Sequence, residues 1–171
     1  MGIEIERKFL IKNERWRSLV ETSKSCTQGY VNLKGNGSIR IRIIGDKGFV
    51  TLKGPREGIR RSEFEYEIPV ADATILLDSF CDAAVISKIR HELTYEGNLW
   101  EIDEFSGENN GLLIAEIELE SEHQTVSLPD WVGKDVSEDE RFFNAHLAKH
   151  PISSWSPEAS RTEELGGAKV S

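Results

Sequence analysis

The most constraining feature of this sequence is an alternation of charged and apolar residues that recurs along the chain. It first appears near the amino terminus, where Glu4, Glu6 and Lys8 alternate with Ile3, Ile5 and Arg7. Successive side chains of a β-strand point to opposite faces, so this segment would present two carboxylates and an ammonium on one side. One such segment could be a strand with a solvated polar face, but the recurrence predicts a sheet with one charged face throughout.

Eight segments carry the strand pattern, and turn residues separate them. The predicted strands cover residues 2–11, 27–33, 38–44, 49–53, 60–68, 85–95, 98–105 and 111–120. Helices are predicted over residues 14–21 and 70–80, and over 137–149 behind a Ser137–Glu140 capping box. The predicted fold class is α+β, with an eight-stranded antiparallel β-barrel, helices packed outside and a C-terminal helix, since closure removes exposed sheet edges.

The charged side chains share one face of the predicted strands, and both signs occur. They are Glu4, Glu6, Lys8, Arg40, Arg42, Lys53, Glu63, Glu65, Lys88, Arg90, Glu101, Asp103, Glu116 and Glu118. If this face were outside, the charges would simply be solvated around an aliphatic centre. Outer helices also need an apolar surface to cover, and one aliphatic face per strand cannot serve both purposes. The sequence therefore predicts a tunnel with a charged lumen.

The charges of such a lumen indicate what it would bind. Unpaired ions taken out of water are costly, so the lumen should be wet and should hold compensating charge. Lys and Arg side chains suit phosphate oxygens, whereas clustered carboxylates suit Mg²⁺ or Mn²⁺, which bridge to phosphate. Both sets together predict a metal-complexed phosphate chain as the ligand.

These motifs resemble those of the CYTH family, also called the triphosphate tunnel metalloenzymes. The resemblance covers residues 2–149, and residues 5–11 and 131–137 resemble the short bacterial branch. It rests on Glu4-x-Glu6-x-Lys8, Arg40-x-Arg42, Lys53, Glu63-x-Glu65, Lys88-x-Arg90, Asp103 and Glu116-x-Glu118, in the family's order. It implies an eight-stranded antiparallel tunnel that binds a small-molecule triphosphate together with a divalent metal, Mg²⁺ or Mn²⁺.

The resemblance also implies a role for each charged residue. The implied metal ligands are Glu4, Glu6 and Glu118, followed by Glu116, Glu65 and Asp103. The implied triphosphate-binding residues are Lys8, Arg40, Arg42, Lys53, Lys88 and Arg90. The implied catalytic residues are Lys8, Glu63, Glu65 and Lys88, and any of the last three could position or deprotonate the attacking water. Phe142 stands where the family often has Tyr, which would alter a contact at the tunnel plug.

The implied activity is metal-dependent hydrolysis of inorganic triphosphate to pyrophosphate and phosphate, with weaker action on nucleoside triphosphates. A class IV adenylyl cyclase, a thiamine triphosphatase and a non-catalytic polyphosphate- or nucleotide-binding module stay open as alternatives. No aromatic or amide set is evidently dedicated to adenine. Trp16, Trp100 and Trp131 could stack on thiamine, but core packing is the simpler explanation for each.

Composition limits the partners and the compartment. The net charge of −9 argues against duplex DNA and anionic membranes, since both are bound mainly by clustered Lys and Arg. No apolar stretch approaches the roughly 20 residues of a membrane span, and the first residues do not resemble a secretory signal. The spacing of Cys26 and Cys81 does not match that of a metal site. We expect a cytoplasmic protein with one domain at residues 1–150 and a disordered tail at 151–171, and nothing indicates its oligomeric state.

Overall fold

The computed structural model describes residues 2–33, 35–81 and 84–158, which form a closed antiparallel barrel with its attached helices. The barrel strands are β1 (Gly2–Ile11), β2 (Thr22–Asn32), β3 (Ser38–Ile44), β4 (Lys47–Glu57), β5 (Arg60–Ile68), β6 (Ile86–Tyr95), β7 (Asn98–Phe105) and β8 (Leu113–Glu118). Their order around the barrel is β1-β5-β4-β3-β2-β6-β7-β8, and β8 returns to β1. The predicted eight-stranded barrel is confirmed.

The barrel closes through β1, whose two halves pair with different strands. Residues 2–5 pair with residues 60–63 of β5, and residues 6–10 pair with residues 114–118 of β8. A short ninth strand, β9 (Val132–Asp135), pairs with the carboxyl-terminal end of β1. The sequence did not predict this segment as a strand. Both seams of the barrel therefore depend on the same strand that carries Glu4, Glu6 and Lys8.

Helices and turns cover the apolar outer face of the strands. Helix α1 (Val70–Phe80) packs Ala73 and Leu77 against Ile41 of β3. A 3₁₀ turn over Glu14–Leu19, capped by Asn13, lies within the predicted helix over residues 14–21 and carries the buried Trp16. In the part of the chain that the structure describes, no helix combines the length and the apolar character needed to cross a bilayer.

The tryptophans lie in the core outside the lumen. Trp16, Trp100 and Trp131 are at most 1% exposed and join one cluster with Phe9 of β1. The Trp100 ring lies 5.4 Å from Trp131 and 5.7 Å from Phe9, measured between ring centroids. The core explanation for these three residues is therefore confirmed, and none of them lines the tunnel cavity.

The end of the domain departs from the predicted single helix over 137–149. Ser137 is not a helix cap, because its hydroxyl accepts a hydrogen bond from Lys8 N at 2.9 Å and donates to Asp135. Asp139 instead caps a 3₁₀ turn over Glu140–Phe142, and helix α2 (Asn144–Lys149) begins only after it. The capping-box assignment was wrong because a tertiary contact with β1 engages the Ser137 side chain.

The start of the segment predicted to be a disordered tail packs on the domain in this structure. Ile152–Ser154 forms a 3₁₀ turn, and the Trp155 ring lies 5.5 Å from the ring of the buried Phe142. Disorder of the tail stays a prediction. The remainder of the predicted tail, residues 159–171, lies outside the described residues.

Gly48 of β4 lies directly beneath α1, and its lack of a side chain permits this close approach. A Cβ there would come within 2.9 Å of both Ala73 Cβ and the carbonyl oxygen of Ile68. We expect Gly48→Ala to lower the free energy of unfolding by about 1–3 kcal/mol, measured by urea denaturation, because overpacking displaces α1. Gly54→Ala in the same strand is the control, since its nearest neighbour, Ser62 Cβ, would be 3.4 Å away. Equal unfolding free energies for the two variants would contradict this packing argument.

Candidate functional site

The charged faces of the strands enclose a cavity of about 250 Å³ inside the barrel. Its basic lining residues are Lys8, Arg40, Arg42, Lys53, Arg56, Arg61, Lys88 and Arg90. Its acidic lining residues are Glu4, Glu6, Glu63, Glu65, Glu101, Glu116 and Glu118. Charges of both signs thus face inward, as predicted. The eight basic and seven acidic lining residues sum to a charge of +1, so the rest of the chain carries the whole negative excess behind the net charge of −9.

The register between β1 and β8 creates one attractive pair and one repulsive pair. Lys8 lies opposite Glu116, whereas Glu6 lies opposite Glu118. Lys8 Nζ donates to Glu116 and lies 3.4 Å from Glu6 Oε1. Burial lowers the pKa of Lys8, but the carboxylates of Glu116 and Glu6 outweigh burial and hold that pKa above its ordinary value. Lys8 is therefore a permanent cation of the lumen.

Arg90 of β6 joins carboxylates from two neighbouring strands. Its Nε lies 2.8 Å from Asp103 Oδ1 and its Nη2 lies 2.8 Å from Asp103 Oδ2. Its Nη1 lies 2.8 Å from Glu101 Oε2, and its Nη2 also lies 2.9 Å from Glu116 Oε2. Glu101 and Glu116 lie opposite each other across β7 and β8, so this guanidinium relieves the repulsion between two like charges.

Asp103 is placed differently from the other predicted metal ligands. It is fully buried, is absent from the cavity lining, and accepts hydrogen bonds from both Arg90 and Lys88. Burial raises the pKa of Asp103, but Arg90 and Lys88 outweigh burial and lower it. Its position favours orienting these two cations over the predicted role of binding metal.

Two arginines of β3 share one carboxylate of β5. Arg40 Nη2 and Arg42 Nη2 each lie 3.0 Å from Glu65 Oε2, and Thr51 Oγ1 donates to the same oxygen at 2.7 Å. The Nε groups of Arg40 and Arg42 are buried and have no hydrogen-bond partner among the described residues. A buried donor without an acceptor costs about 1–3 kcal/mol, so both N–H groups are suited to an anionic ligand.

Glu4 and Glu63 surround the ammonium of Lys53. Lys53 Nζ lies 2.6 Å from Glu63 Oε2 and 3.3 Å from both oxygens of Glu4. Burial and the nearby Arg40 lower the pKa of Lys53 to about 8. Burial and Glu4 raise the pKa of Glu63. Burial also acts to raise the pKa of Glu4, but Lys53 and Arg61 outweigh burial there and lower it.

Arg56 and Arg61 also line the lumen, although neither was among the charged residues predicted to face it. Arg61 has the same strand parity as Glu63, so the alternation already contained that signal. Arg56 lies beyond Lys53 in β4, where the register shifts at an irregularity that changes which side chains face inward. A run of residues that contains Gly54 and Pro55 suggests a loop, and the alternation does not indicate the irregularity within the strand.

Residues at the start of α2 also line the cavity. Phe143, Asn144 and Ala145 line it, and the Asn144 amide oxygen accepts a hydrogen bond from Lys88 Nζ at 3.1 Å. The Phe143 ring lies 4.4 Å from the guanidinium carbon of Arg56. Phe142, which was expected at the tunnel plug, instead packs in the core. The neighbouring Phe143, and not Phe142, is the aromatic residue that this segment contributes to the lumen.

Among the carboxylates that line the lumen, Glu118 has the least positive charge nearby to balance it. Its carboxylate forms no ion pair with a basic side chain in the described parts of the chain. Partial burial and the neighbouring Glu4 and Glu6 raise its pKa. Among residues 2–33, 35–81 and 84–158, no three potential ligands form a ready-made metal cluster. The oxygens of Glu4 and Glu6 accept hydrogen bonds from Arg61, Lys53 and Arg56 instead.

Comparison with known proteins agrees with this geometry. The CYTH domain model matches residues 2–147. An inorganic triphosphatase of Acetivibrio thermocellus is 45% identical over 151 residues, which cover 88% of this chain and 96% of that protein. An inorganic triphosphatase of Nitrosomonas europaea is 33% identical over 149 residues, which cover 85% of this chain and 96% of that protein.

A crystal structure of an inorganic triphosphatase has the same fold. It aligns with a TM-score of 0.61 at 31% identity, covering 85% of this chain and 93% of that chain. The resemblance inferred from the seven charged motifs is thereby confirmed. With a family match over nearly the whole barrel and two relatives above 30% identity, this chain belongs to the CYTH family.

Proposed function

We propose that this protein hydrolyses inorganic triphosphate to pyrophosphate and phosphate with the help of a divalent metal. One observation carries the proposal: inside a closed, charged lumen, the buried Nε groups of Arg40 and Arg42 lack an acceptor among the described residues. A phosphate chain offers closely spaced anionic oxygens that guanidinium groups bind well. The names of the two curated relatives, both inorganic triphosphatases, support this choice of substrate.

Basic residues from four strands would hold the triphosphate. Their side chains belong to Lys8, Arg40, Arg42, Lys53, Lys88 and Arg90. In the reaction, the oxygen of a water molecule attacks a phosphorus atom, the anhydride P–O bond breaks, and its electrons remain on the leaving phosphate or pyrophosphate. The cations stabilise the charge on the phosphoryl oxygens during this step, which is where most catalysis of phosphoryl transfer arises.

The carboxylates Glu4, Glu6 and Glu118 are suited to hold the metal that family membership implies. Mg²⁺ and Mn²⁺ prefer oxygen ligands, and the raised pKa of Glu118 beside two other carboxylates indicates a place where a cation relieves repulsion. When bound, such an ion neutralises phosphate charge and acidifies a coordinated water molecule. Glu116 is a further candidate, and its oxygens, like those of Glu4 and Glu6, are paired with cations in this structure, here Lys8 and Arg90.

Glu63 is our choice among the three residues proposed to accept the proton of the attacking water. Lys88 donates to Asp103 and Asn144, and its side chain is only 1% exposed. Glu65 holds Arg40 and Arg42 in place. The pKa of Glu63 is raised, which makes it the more basic of the two carboxylates.

The alternative activities lack a comparable observation. The three tryptophans considered for stacking on thiamine are buried outside the lumen. A cyclase would convert ATP to cAMP, whereas a triphosphatase would release phosphate, and chromatography of the products separates these two outcomes. Comparing kcat/KM for tripolyphosphate and thiamine triphosphate separates the remaining enzyme activities.

We expect the purified protein to release phosphate from tripolyphosphate in the presence of Mg²⁺ or Mn²⁺, measured with malachite green. The Glu4→Ala, Glu6→Ala double variant is the control, because it loses two of the proposed metal ligands. Product chromatography should show pyrophosphate and phosphate in equal amounts. Thermal stabilisation by tripolyphosphate without phosphate release above the control would indicate a binding module and reject the enzymatic proposal.

A pair of isosteric variants separates metal binding from charge support. We expect Glu118→Gln to raise the Mg²⁺ concentration for half-maximal activity by at least about tenfold, with little change in stability. Asp103→Asn should lower the free energy of unfolding by about 3–5 kcal/mol, because Arg90 and Lys88 would lose a buried counter-charge. Metal titration of activity and urea denaturation measure the two effects. The reverse pattern would mean that Asp103, and not Glu118, binds the metal.

A second pair tests the proton acceptor. We expect Glu63→Gln to lower kcat by about 100-fold or more, the usual contribution of a general base. Glu65→Gln should mainly raise KM, because Arg40 and Arg42 would lose the carboxylate that orients them. Steady-state kinetics with tripolyphosphate measures both parameters. A larger loss of kcat in the Glu65 variant would assign the proton transfer to that residue instead.

A further inference from the structure

Two histidines lie one turn apart on the outward side of α2. His146 is half-buried and His150 is exposed, whereas Leu147 and Ala148 between them are buried and anchor the helix on the domain. Residues four positions apart share one face of a helix, and the centroids of the two imidazole rings are 4.8 Å apart. Both rings are therefore accessible from solvent and close to each other.

Backbone contacts hold the two histidines at this separation. His150 N donates to the carbonyl oxygen of His146 at 2.8 Å, and the carbonyl oxygen of His150 accepts a hydrogen bond from Trp155 Nε1 at 3.0 Å. The Trp155 ring packs in turn on the buried Phe142. The carboxyl-terminal end of α2 is thus tied to the domain, and the histidine pair is placed before any ligand arrives.

The spacing of the two rings suits a shared transition-metal ion. Imidazole nitrogens bind Zn²⁺ at about 2.0–2.1 Å, so two imidazoles on one tetrahedral ion have ring centres roughly 5 Å apart. Two histidines four residues apart on one helix face are also a recurring pair of zinc ligands. His91 shows the contrasting case, since its two ring nitrogens lie within hydrogen-bond distance of Ser23 and Glu104.

The charges around the pair are compatible with a bound cation. Burial, His150 and Lys149 lower the pKa of His146, and the carboxylates of Glu140 and Asp139 act in the opposite direction. The imidazole of His146 is therefore neutral at neutral pH, which is the form that binds metal. The two carboxylates add negative charge beside the rings.

We infer that His146 and His150 form a binding site for a divalent transition metal such as Zn²⁺, separate from the tunnel, with water completing the coordination. Imidazole nitrogens favour Zn²⁺, Ni²⁺ and Cu²⁺, whereas Mg²⁺ prefers oxygen ligands, so this site and the lumen would take different ions. The inference goes beyond the proposed function and does not depend on it.

A metal ion at this site would stabilise α2. It would bridge one turn of the helix and hold closed the hydrogen bond between His150 N and the carbonyl oxygen of His146. Helix α2 has only six residues, and helices this short are marginal without external support. The start of the same helix carries Asn144, which accepts a hydrogen bond from Lys88 of the lumen.

Calorimetric titration of Zn²⁺ into the protein, prepared without a histidine tag, tests the site. Excess Mg²⁺ in the buffer occupies the oxygen ligands of the lumen. We expect one strong Zn²⁺ site, and we expect His146→Gln and His150→Gln each to raise its Kd at least about tenfold, since losing even a partner of a metal ligand costs 10–100-fold. Hydrogen exchange at the His150 amide should slow when Zn²⁺ is added to the unsubstituted protein, but not in either variant.

His123→Gln is the matched control, because it removes an exposed histidine that lies outside α2. We expect this variant to keep the Kd for Zn²⁺ of the unsubstituted protein. Thermal unfolding in the absence of Zn²⁺ checks that all three variants are folded. In its presence, the unfolding temperature should rise for the unsubstituted protein and for the His123 variant, because only their folded states hold the ion at α2.

The outcomes of these measurements do not depend on triphosphatase activity. Weaker Zn²⁺ binding in both α2 variants supports the site whether or not the protein hydrolyses tripolyphosphate. The inference is overturned if the unsubstituted protein does not bind Zn²⁺ in excess Mg²⁺, or if both α2 variants bind it as tightly as the unsubstituted protein. An equal loss of affinity in the His123 variant overturns it as well.

Discussion

Charge compensation inside a closed barrel is the constraint on which the rest of this structure depends. Ionised side chains removed from bulk water must be paired, and the lumen satisfies this with networks in which each cation serves several carboxylates. Arg90 alone joins Glu101, Asp103 and Glu116. Where pairing is incomplete, at the Nε groups of three arginines and at Glu118, the structure points to ligands of opposite charge.

The same strand closes the barrel and carries its first charged motif. Because β1 pairs with β5 through one half and with β8 through the other, Glu4 lies beside β5 while Glu6 and Lys8 lie beside β8. The apolar face of β1 packs at the same time on Trp100. The core and the lumen therefore share β1, and the proposed metal ligands on β1 and β8 lie side by side only because these two strands pair.

The site divides into residues that contact the lumen and residues that hold those in place. Asp103 belongs to the second group, because both of its oxygens face Arg90 and Lys88 and none lines the cavity. A polyanion bound in the lumen would thus meet cations on several strands whose orientation other buried groups already determine.

The sequence by itself determined the barrel, the inward face of its strands and most of the charged lumen, because strand alternation has a period of two and needs no long-range information. Strands β3 and β5 were predictable for this reason, and helix α1 was predictable from apolar residues spaced at the helical period of 3.6. Tertiary structure alone decided the position of Arg56, the pairing of Asp103 with Arg90 and Lys88, and the contact of Ser137 with β1. Each of these depends on a strand irregularity or on partners more than ten residues away, which a local pattern does not encode.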